Sequence, residues 1–153
     1  MALVYTGLGS NLGNRAGYIA QAKDLIVSDA GAIIIAESSI SETMPVDYVD
    51  QPLFINQIIK IETDADPETL LKSFKKIEKK LGRKKRFFKG PREIDIDILL
   101  YDSIVYNSKN LVIPHEGILK RGFILEHLVE LDPELEDPVT HKKYREVLNN
   151  GCY

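Results

Sequence analysis

Cysteine is nearly absent: Cys152 is the only one in 153 residues. One thiol can form neither an internal disulfide nor a cysteine zinc cluster, which excludes a disulfide-stapled secreted scaffold and favours a reducing compartment. Long apolar runs are missing too. The densest, Ala32-Ile33-Ile34-Ile35-Ala36, falls far short of the roughly 20 residues that a membrane helix needs. The first basic residue is Arg15, so no charged leader precedes an apolar stretch. These absences predict a soluble, cytoplasmic protein with no membrane partner. No repeat, low-complexity tract or linker divides the chain, and residues 1–153 are expected to form one domain.

Nucleotide fingerprints are missing as well. Gly7, Gly9 and Gly13 give G-x-G-x-x-x-G, one residue off the dinucleotide pattern, and no G-x-x-x-x-G-K-[ST] occurs. A Rossmann dehydrogenase and a P-loop kinase are both disfavoured. The histidines His115, His127 and His141 show no zinc spacing. His127 falls within a helical pattern and reads as structural; His115, in a loop ahead of Arg121, is a candidate phosphate contact.

What is present is a concentration of charge. The whole chain carries 20 Lys+Arg against 23 Asp+Glu, for a net charge of −3. The window Arg83–Arg92, RKKRFFKGPR, holds six bases (Arg83, Lys84, Lys85, Arg86, Lys89, Arg92) and no acid. Outside it, 14 bases face 23 acids. Such a block repels itself and lies in solvent.

The apolar pattern predicts a strand at Ala2–Gly9, a helix at Arg15–Ala30 and a strand at Ile33–Ser39. A proline-bounded loop covers Thr43–Pro52. The strand after it, Phe54–Glu62, alternates, with Phe54, Asn56, Ile58 and Lys60 on one face. The clearest helix is Pro67–Leu81. Asp66 caps it, Pro67 suits its first position, and Gly82 stops it. After the basic loop comes a strand, Glu93–Tyr101, with a short hairpin partner at Ile104–Tyr106. Helices at Gly122–Leu131 and Tyr144–Asn149 follow. The order fits an α+β, ferredoxin-like sandwich with a mainly antiparallel sheet and flanking helices.

Asp95-Ile96-Asp97 is the strongest chemical signal. Residues two apart in a strand share a face, with Cα atoms about 6.5 Å apart, so both carboxylates can reach shared cations. Ile94, Ile96 and Ile98 then face the core. Like charges this close are unfavourable unless something positive lies between them. Hard oxygen ligands point to Mg²⁺ rather than zinc. Carboxylates, a divalent cation and a set of Lys and Arg are the equipment for a polyphosphate. Pro45, Val46, Phe54 and Asn56 offer apolar walls and one amide, suited to a flat heteroaromatic ring.

Taken together, these segments resemble the hydroxymethyl-dihydropterin pyrophosphokinases of folate biosynthesis. The resemblance rests on Gly9-Ser10-Asn11-Leu12-Gly13, Thr43-x-Pro45, Gln51-Pro52-x-Phe54-x-Asn56, Gly82-Arg83, Gly90-Pro91-Arg92-x-Ile94-Asp95-Ile96-Asp97-Ile98-Leu99, Pro114-His115 and Arg121-Gly122-Phe123. It implies transfer of the pyrophosphoryl group of ATP to a pterin hydroxymethyl oxygen, with AMP as the other product. By that likeness Asp95 and Asp97 hold two Mg²⁺ ions. Arg83, Lys85, Arg92, His115 and Arg121 contact ATP, with Arg83 and Arg92 also in catalytic roles, and Ile98 lies against the adenine. Thr43, Pro45, Val46 and Asn56 line the pterin pocket, with the ring between Phe54 and Phe123. The basic loop is expected to close as a lid because its six bases are unscreened, and the protein is expected to be a monomer. Lys89, Asn110, Val112 and Glu116 depart from the family's common pattern.

Two other readings compete. A palm-type nucleotidyl transferase also sets paired aspartates on a ferredoxin-like sheet, but the loop before Phe54 and the lack of a second basic track argue against it. An RNA-binding module could stack bases on Phe87 and Phe88. There Asp95 and Asp97 would repel the phosphates that the loop attracts, so no nucleic-acid partner is expected.

Overall fold

The computed structural model describes residues 1–45 and 50–151. Val46, assigned to the pterin pocket above, lies outside the described residues. The elements run β1 (Ala2–Ser10), α1 (Arg15–Ser28), β2 (Ile33–Glu37), β3 (Ser41–Thr43), β4 (Phe54–Thr63), α2 (Pro67–Lys80), β5 (Asp95–Tyr101), β6 (Tyr106–Asn107) and β7 (Val112–Ile113). A 3-10 turn at Ile118–Lys120, α3 (Gly122–Leu131) and α4 (Tyr144–Asn150) complete the chain.

The main sheet has the order β2-β4-β1-β5, and β3 also pairs with β4. Every pairing in it is antiparallel. With α1 after β1 and α2 after β4, this is the ferredoxin-like βαββαβ arrangement expected from the sequence.

Both faces of the sheet are covered, by different helices. On one face α1 and α2 bury Ile19, Ala22, Ile26, Leu70, Phe74 and Ile77 against Val4, Leu8, Ile59, Ile61 and the isoleucines of β5. On the other, α3 and α4 bury Leu125, Leu128 and Tyr144 against Tyr5, Ile58, Leu99 and Leu100. The alternation of Val4 with Tyr5 and of Ile58 with Ile59 is the period-2 signature of a strand buried on both sides.

Helix α2 forms as its sequence dictates. The Asp66 side chain accepts from the Thr69 N–H at 2.9 Å, Pro67 takes the first position, and Gly82 follows at φ +94°, a left-handed conformation suited to glycine.

Three local expectations are corrected. Thr43, expected to open the loop, instead ends a strand, β3, with Ser41 and Glu42; β3 pairs Ser41 with Asn56 and Thr43 with Phe54. Strand β5 begins at Asp95, and its hairpin partner does not form. Asp102, at φ +48°, exchanges bonds with Leu3 instead: its N–H donates to Leu3 O at 2.7 Å and its Oδ1 accepts from Leu3 N at 2.8 Å. That turns the chain away, and Tyr106–Asn107 pairs with Val112–Ile113. Finally, alternation breaks at a bulge, where Tyr5 opposes Leu100 and Thr6 opposes Ile98. Leu99 and Leu100 thus both reach the α3 side, as an extra residue in one strand allows.

No helix among the described residues is long and apolar enough to cross a membrane. Phe74 is fully buried between α2 and the sheet. Phe74→Ala should cost about 3–5 kcal/mol, the range for deleting a large buried aromatic, measured by urea unfolding at constant m-value.

Candidate active site

Between the start of β4 and the start of α3, the second sheet face is not covered by helices. The floor there is glycine. Gly7 sits across from Asp97 and Ile58, and Gly9 across from Asp95 and Asn56. A side chain at Gly9 would press within 3.2 Å of Asn56 Oδ1. The glycines read above as a failed nucleotide fingerprint therefore form a bare strip, with an aromatic-amide wall on one side and carboxylates on the other.

Two clefts meet at this strip. The first encloses about 690 Å³ of space, part of it open to solvent, and is lined by Thr43, Met44, Phe54, Asn56, Leu99 and Phe123 among others. The second is walled by the basic loop and by Lys75, Glu78 and Lys79 of α2. Lys89, Arg92, Asp95, Asp97, His115 and Arg121 line both. The carboxylate pair thus stands at the junction of an aromatic cleft and a cationic one.

Asp95 is heavily paired. Its Oδ1 lies 3.0 Å from Arg83 Nη1 and its Oδ2 3.4 Å from Arg92 Nε. Burial works to raise its pKa, but Arg92 and Arg83 overcome burial and hold it below the usual carboxylate range. Asp97 has no guanidinium partner of this kind among the described residues. Burial, then the charges of Asp95 and Glu78, push its carboxyl well above that range. Glu78 is 3% exposed. It caps the free edge of β5, accepting from Ile96 N at 2.8 Å, and lies 3.0 Å from Arg83 Nη1. Burial, with Asp95 nearby, raises it as well. A cation placed between Asp95 and Asp97 would relieve the repulsion that raises the Asp97 carboxyl. No group of three or more His, Cys, Asp or Glu side chains among the described residues is arranged around one point. The donor set suits a hard cation that takes its remaining ligands from phosphate and water.

The arginines of the basic loop are spoken for, which corrects the expectation of six unscreened bases. Arg83 holds Glu78 and Asp95, Arg92 holds Asp95, and Arg86 grips Glu93 with a two-pronged pair at 2.7 and 2.8 Å. The Arg86 bonds hold the Glu93 carboxyl at about 2. Lys84, Lys85 and Lys89 make no ion pair among the described residues. Lys85 lines the cationic cleft only. Gly90 closes the loop's turn: a Cβ there would lie 2.7 Å from the Phe87 ring.

Other candidates fall as follows. Phe54 carries the Arg92 guanidinium 4.7 Å above its ring centroid. Asn56 Nδ2 donates to Thr43 Oγ1 at 2.6 Å, so both present polar edges to the aromatic cleft. His115 Nδ1 accepts from Gly117 N at 2.9 Å, which leaves Nε2 as the donor of the neutral ring. Burial, with Arg121 beside it, lowers its pKa. Pro45 is buried but does not line the cleft; Met44 does. The Ile98 side chain is 2% exposed within the α1–α2 core and is not among the cleft-lining residues, because it points to the face opposite Asp95 and Asp97.

Sequence reasoning left Asn11 and Gln51 without a role. Asn11 Nδ2 donates to Gln51 Oε1 at 2.8 Å and to Pro52 O at 3.1 Å, and its Oδ1 accepts from Arg92 N at 2.9 Å. Gln51 Nε2 donates to Lys89 O at 2.9 Å. These bonds staple the loop before β4 to the loop before β5. The signal lay in the polar turn Ser10–Asn14, whose partners are too distant in sequence to infer.

Comparison with known proteins now bears on this arrangement. Residues 5–133 match the family model described as 7,8-dihydro-6-hydroxymethylpterin-pyrophosphokinase (HPPK). The chain belongs to that family. It is 41% identical over 146 residues to the 2-amino-4-hydroxy-6-hydroxymethyldihydropteridine pyrophosphokinase of Aquifex aeolicus, covering 95% of this chain and 90% of that one. It is also 41% identical over 147 residues to the folic acid synthesis protein fol1 of Schizosaccharomyces pombe, covering 96% of this chain. The chain spans about a fifth of the length of such fungal relatives. A crystal structure of an HPPK-DHPS in complex with substrates superposes with a TM-score of 0.78 at 15% identity, over 98% of this chain and 43% of that one; this likeness speaks to the fold alone.

An acid whose folded pKa is raised loses stability as pH climbs from its unfolded value toward the folded one. Asp97→Asn should therefore raise the thermal midpoint of the metal-free protein at pH 7.5, with the gain shrinking as the pH falls toward about 4, the unfolded Asp value. Calorimetry in EDTA at both pH values measures it.

Proposed function

We propose that this chain transfers the pyrophosphoryl group of ATP to the hydroxymethyl oxygen of 6-hydroxymethyl-7,8-dihydropterin, giving the pterin diphosphate and AMP, with two Mg²⁺ ions held by Asp95 and Asp97. The observation that carries this reading is the shared wall. Asp95 and Asp97 line both the aromatic cleft and the cationic cleft, so a ring in one and a polyphosphate in the other meet at the carboxylates.

Each side chain then has a task set by its chemistry. Phe54 and Phe123 flank a flat ring, and Asn56 and Thr43 offer it an amide and a hydroxyl. Lys85, Lys89 and Arg121 balance the charge of the phosphate chain. His115 donates from Nε2 without adding a full charge. Arg92 lines both clefts and lies over Phe54, so it stands where the bond between β-phosphorus and acceptor oxygen would form. Arg83 acts mainly by holding Asp95. Asp95 and Asp97 would hold the magnesium, which would offset the charge that builds on the phosphate oxygens during transfer. In-line approach of the acceptor oxygen is a matter of placement, which two clefts at a fixed angle supply. The reaction is placed in the cytoplasm, with a monomer as the working unit, and needs no nucleic acid.

Incubation with Mg-ATP and the dihydropterin should release AMP in step with pterin diphosphate, resolved by ion-exchange chromatography; ADP in its place would exclude the reading. Asp97→Ala should lower turnover at least about 100-fold, the scale for losing a metal-positioning carboxylate, while the circular dichroism spectrum stays unchanged.

A further inference from the structure

A network outside the clefts ties two of their walls together. His127 sits on α3, four residues after Phe123, and is 4% exposed. Its Nε2 lies 2.8 Å from Ser41 Oγ on β3. Its Nδ1 lies 3.4 Å from Glu130 Oε2. Glu130 in turn accepts from Ser39 N and from Ser39 Oγ, both at 2.9 Å. With Nδ1–H directed to the carboxylate, Nε2 is free to accept the Ser41 hydroxyl. The His127 ring also meets the Phe123 ring edge-on, with centroids 6.5 Å apart at 74°.

Ser41 is two residues from Thr43, on the same side of β3. Across the strand pair, Ser41 faces Asn56 and Thr43 faces Phe54. Thr43 Oγ1 fixes the Asn56 amide. One imidazole therefore connects the helix that carries Phe123 to the short strand that aims Thr43 and Asn56. β3 is three residues long and pairs with β4, and Glu42 ties its outer side to Arg15 at 3.1 Å; the Ser41 contact is what ties it to α3, across the spacing that a ring between Phe54 and Phe123 requires.

We propose that His127 is a positioning residue for the ring-binding cleft: through Ser41 and Phe123 it sets the width of that cleft and the aim of its amide, and it acts on the pterin side without acting on the ATP side. The inference rests on the pterin reading above. None of its contacts reaches Asp95, Asp97 or the basic loop. A change there alters recognition of the acceptor ring and leaves phosphate handling intact.

Steady-state kinetics with each substrate varied in turn test this, monitored by AMP release. His127→Ala should raise KM for the dihydropterin about tenfold, the effect of one lost orienting hydrogen bond, with KM for ATP within about twofold of the parent. His127→Gln, whose amide can reach the Nε2 position, should recover most of the loss. Ser41→Ala, at a half-buried strand position outside the core clusters, should reproduce the KM rise and keeps the test open should His127→Ala not fold. The double variant should be no worse than either single one, as expected for two ends of one contact. Equal rises in both KM values, a fall in thermal midpoint with neither KM changed, or no recovery with Gln would overturn the inference. Absence of pterin-dependent AMP release from the parent protein would instead overturn the reading on which it rests.

Discussion

Asp95 and Asp97 repel each other from one face of one strand, and much of the surrounding structure can be understood as a response to that repulsion. The protein relieves it in two ways at once. It gives Asp95 two guanidinium partners, so that this carboxylate stays charged. It gives Asp97 none among the described residues, and burial beside Asp95 and Glu78 raises that carboxyl. The asymmetry matters because a fully neutralised pair would have no call on a metal, and a fully unpaired one would destabilise β5. Glu78 extends the same design beneath the strand. It closes the β5 edge at Ile96 and steadies Arg83, at the cost of a third carboxylate whose burial must be offset.

The division of the sheet into two faces is what makes room for this arrangement. The α1–α2 face takes the isoleucines of β5 and supplies much of the burial. The other face is covered by α3 and α4 over Tyr5, Leu99 and Leu100, and bare over Gly7 and Gly9. The β5 bulge sits near the boundary between the two regimes. Past it both leucines serve the core; before it both aspartates serve the cleft. A regular strand could not have switched so abruptly.

These features were legible in the sequence to the extent that they are local. Helix α2 carries its cap, its stripe and its stop between Asp66 and Gly82, and β4 carries its alternation on its face. The aspartate pair is visible because i and i+2 share a face in any strand. For the Ile98 side chain the alternation predicts the core, and the structure places it there. β3 is too short for its period to register. The roles of Asn11, Gln51 and His127 depend on partners 38 to 86 residues away, and no local pattern encodes such a distance. Nor could composition distinguish a glycine strip in a strand from a glycine loop around phosphate.

The basic loop shows the same sorting of roles in its choice of side chain. Its arginines pair with protein carboxylates, and its lysines make no ion pair among the described residues. A planar guanidinium gains from two fixed bonds, as Arg86 does on Glu93, and so suits a frame. An ammonium is a strongly hydrated point charge on a flexible stem, and suits a partner that arrives and leaves. The loop is thus anchored at Arg83, Arg86 and Arg92, while Phe88, 86% exposed, and Lys84 and Lys85 face solvent. Six positive charges in ten residues do not require an anion to hold the loop together, since the arginines have partners of their own. What remains uncompensated is a smaller set of lysines, placed beside the cleft whose opposite wall is the carboxylate pair. A polyanion bridged to those carboxylates by a cation would meet positive charge from the loop and from α2 at once, so the ligand and the cation each supply the charge that the other half of the site lacks.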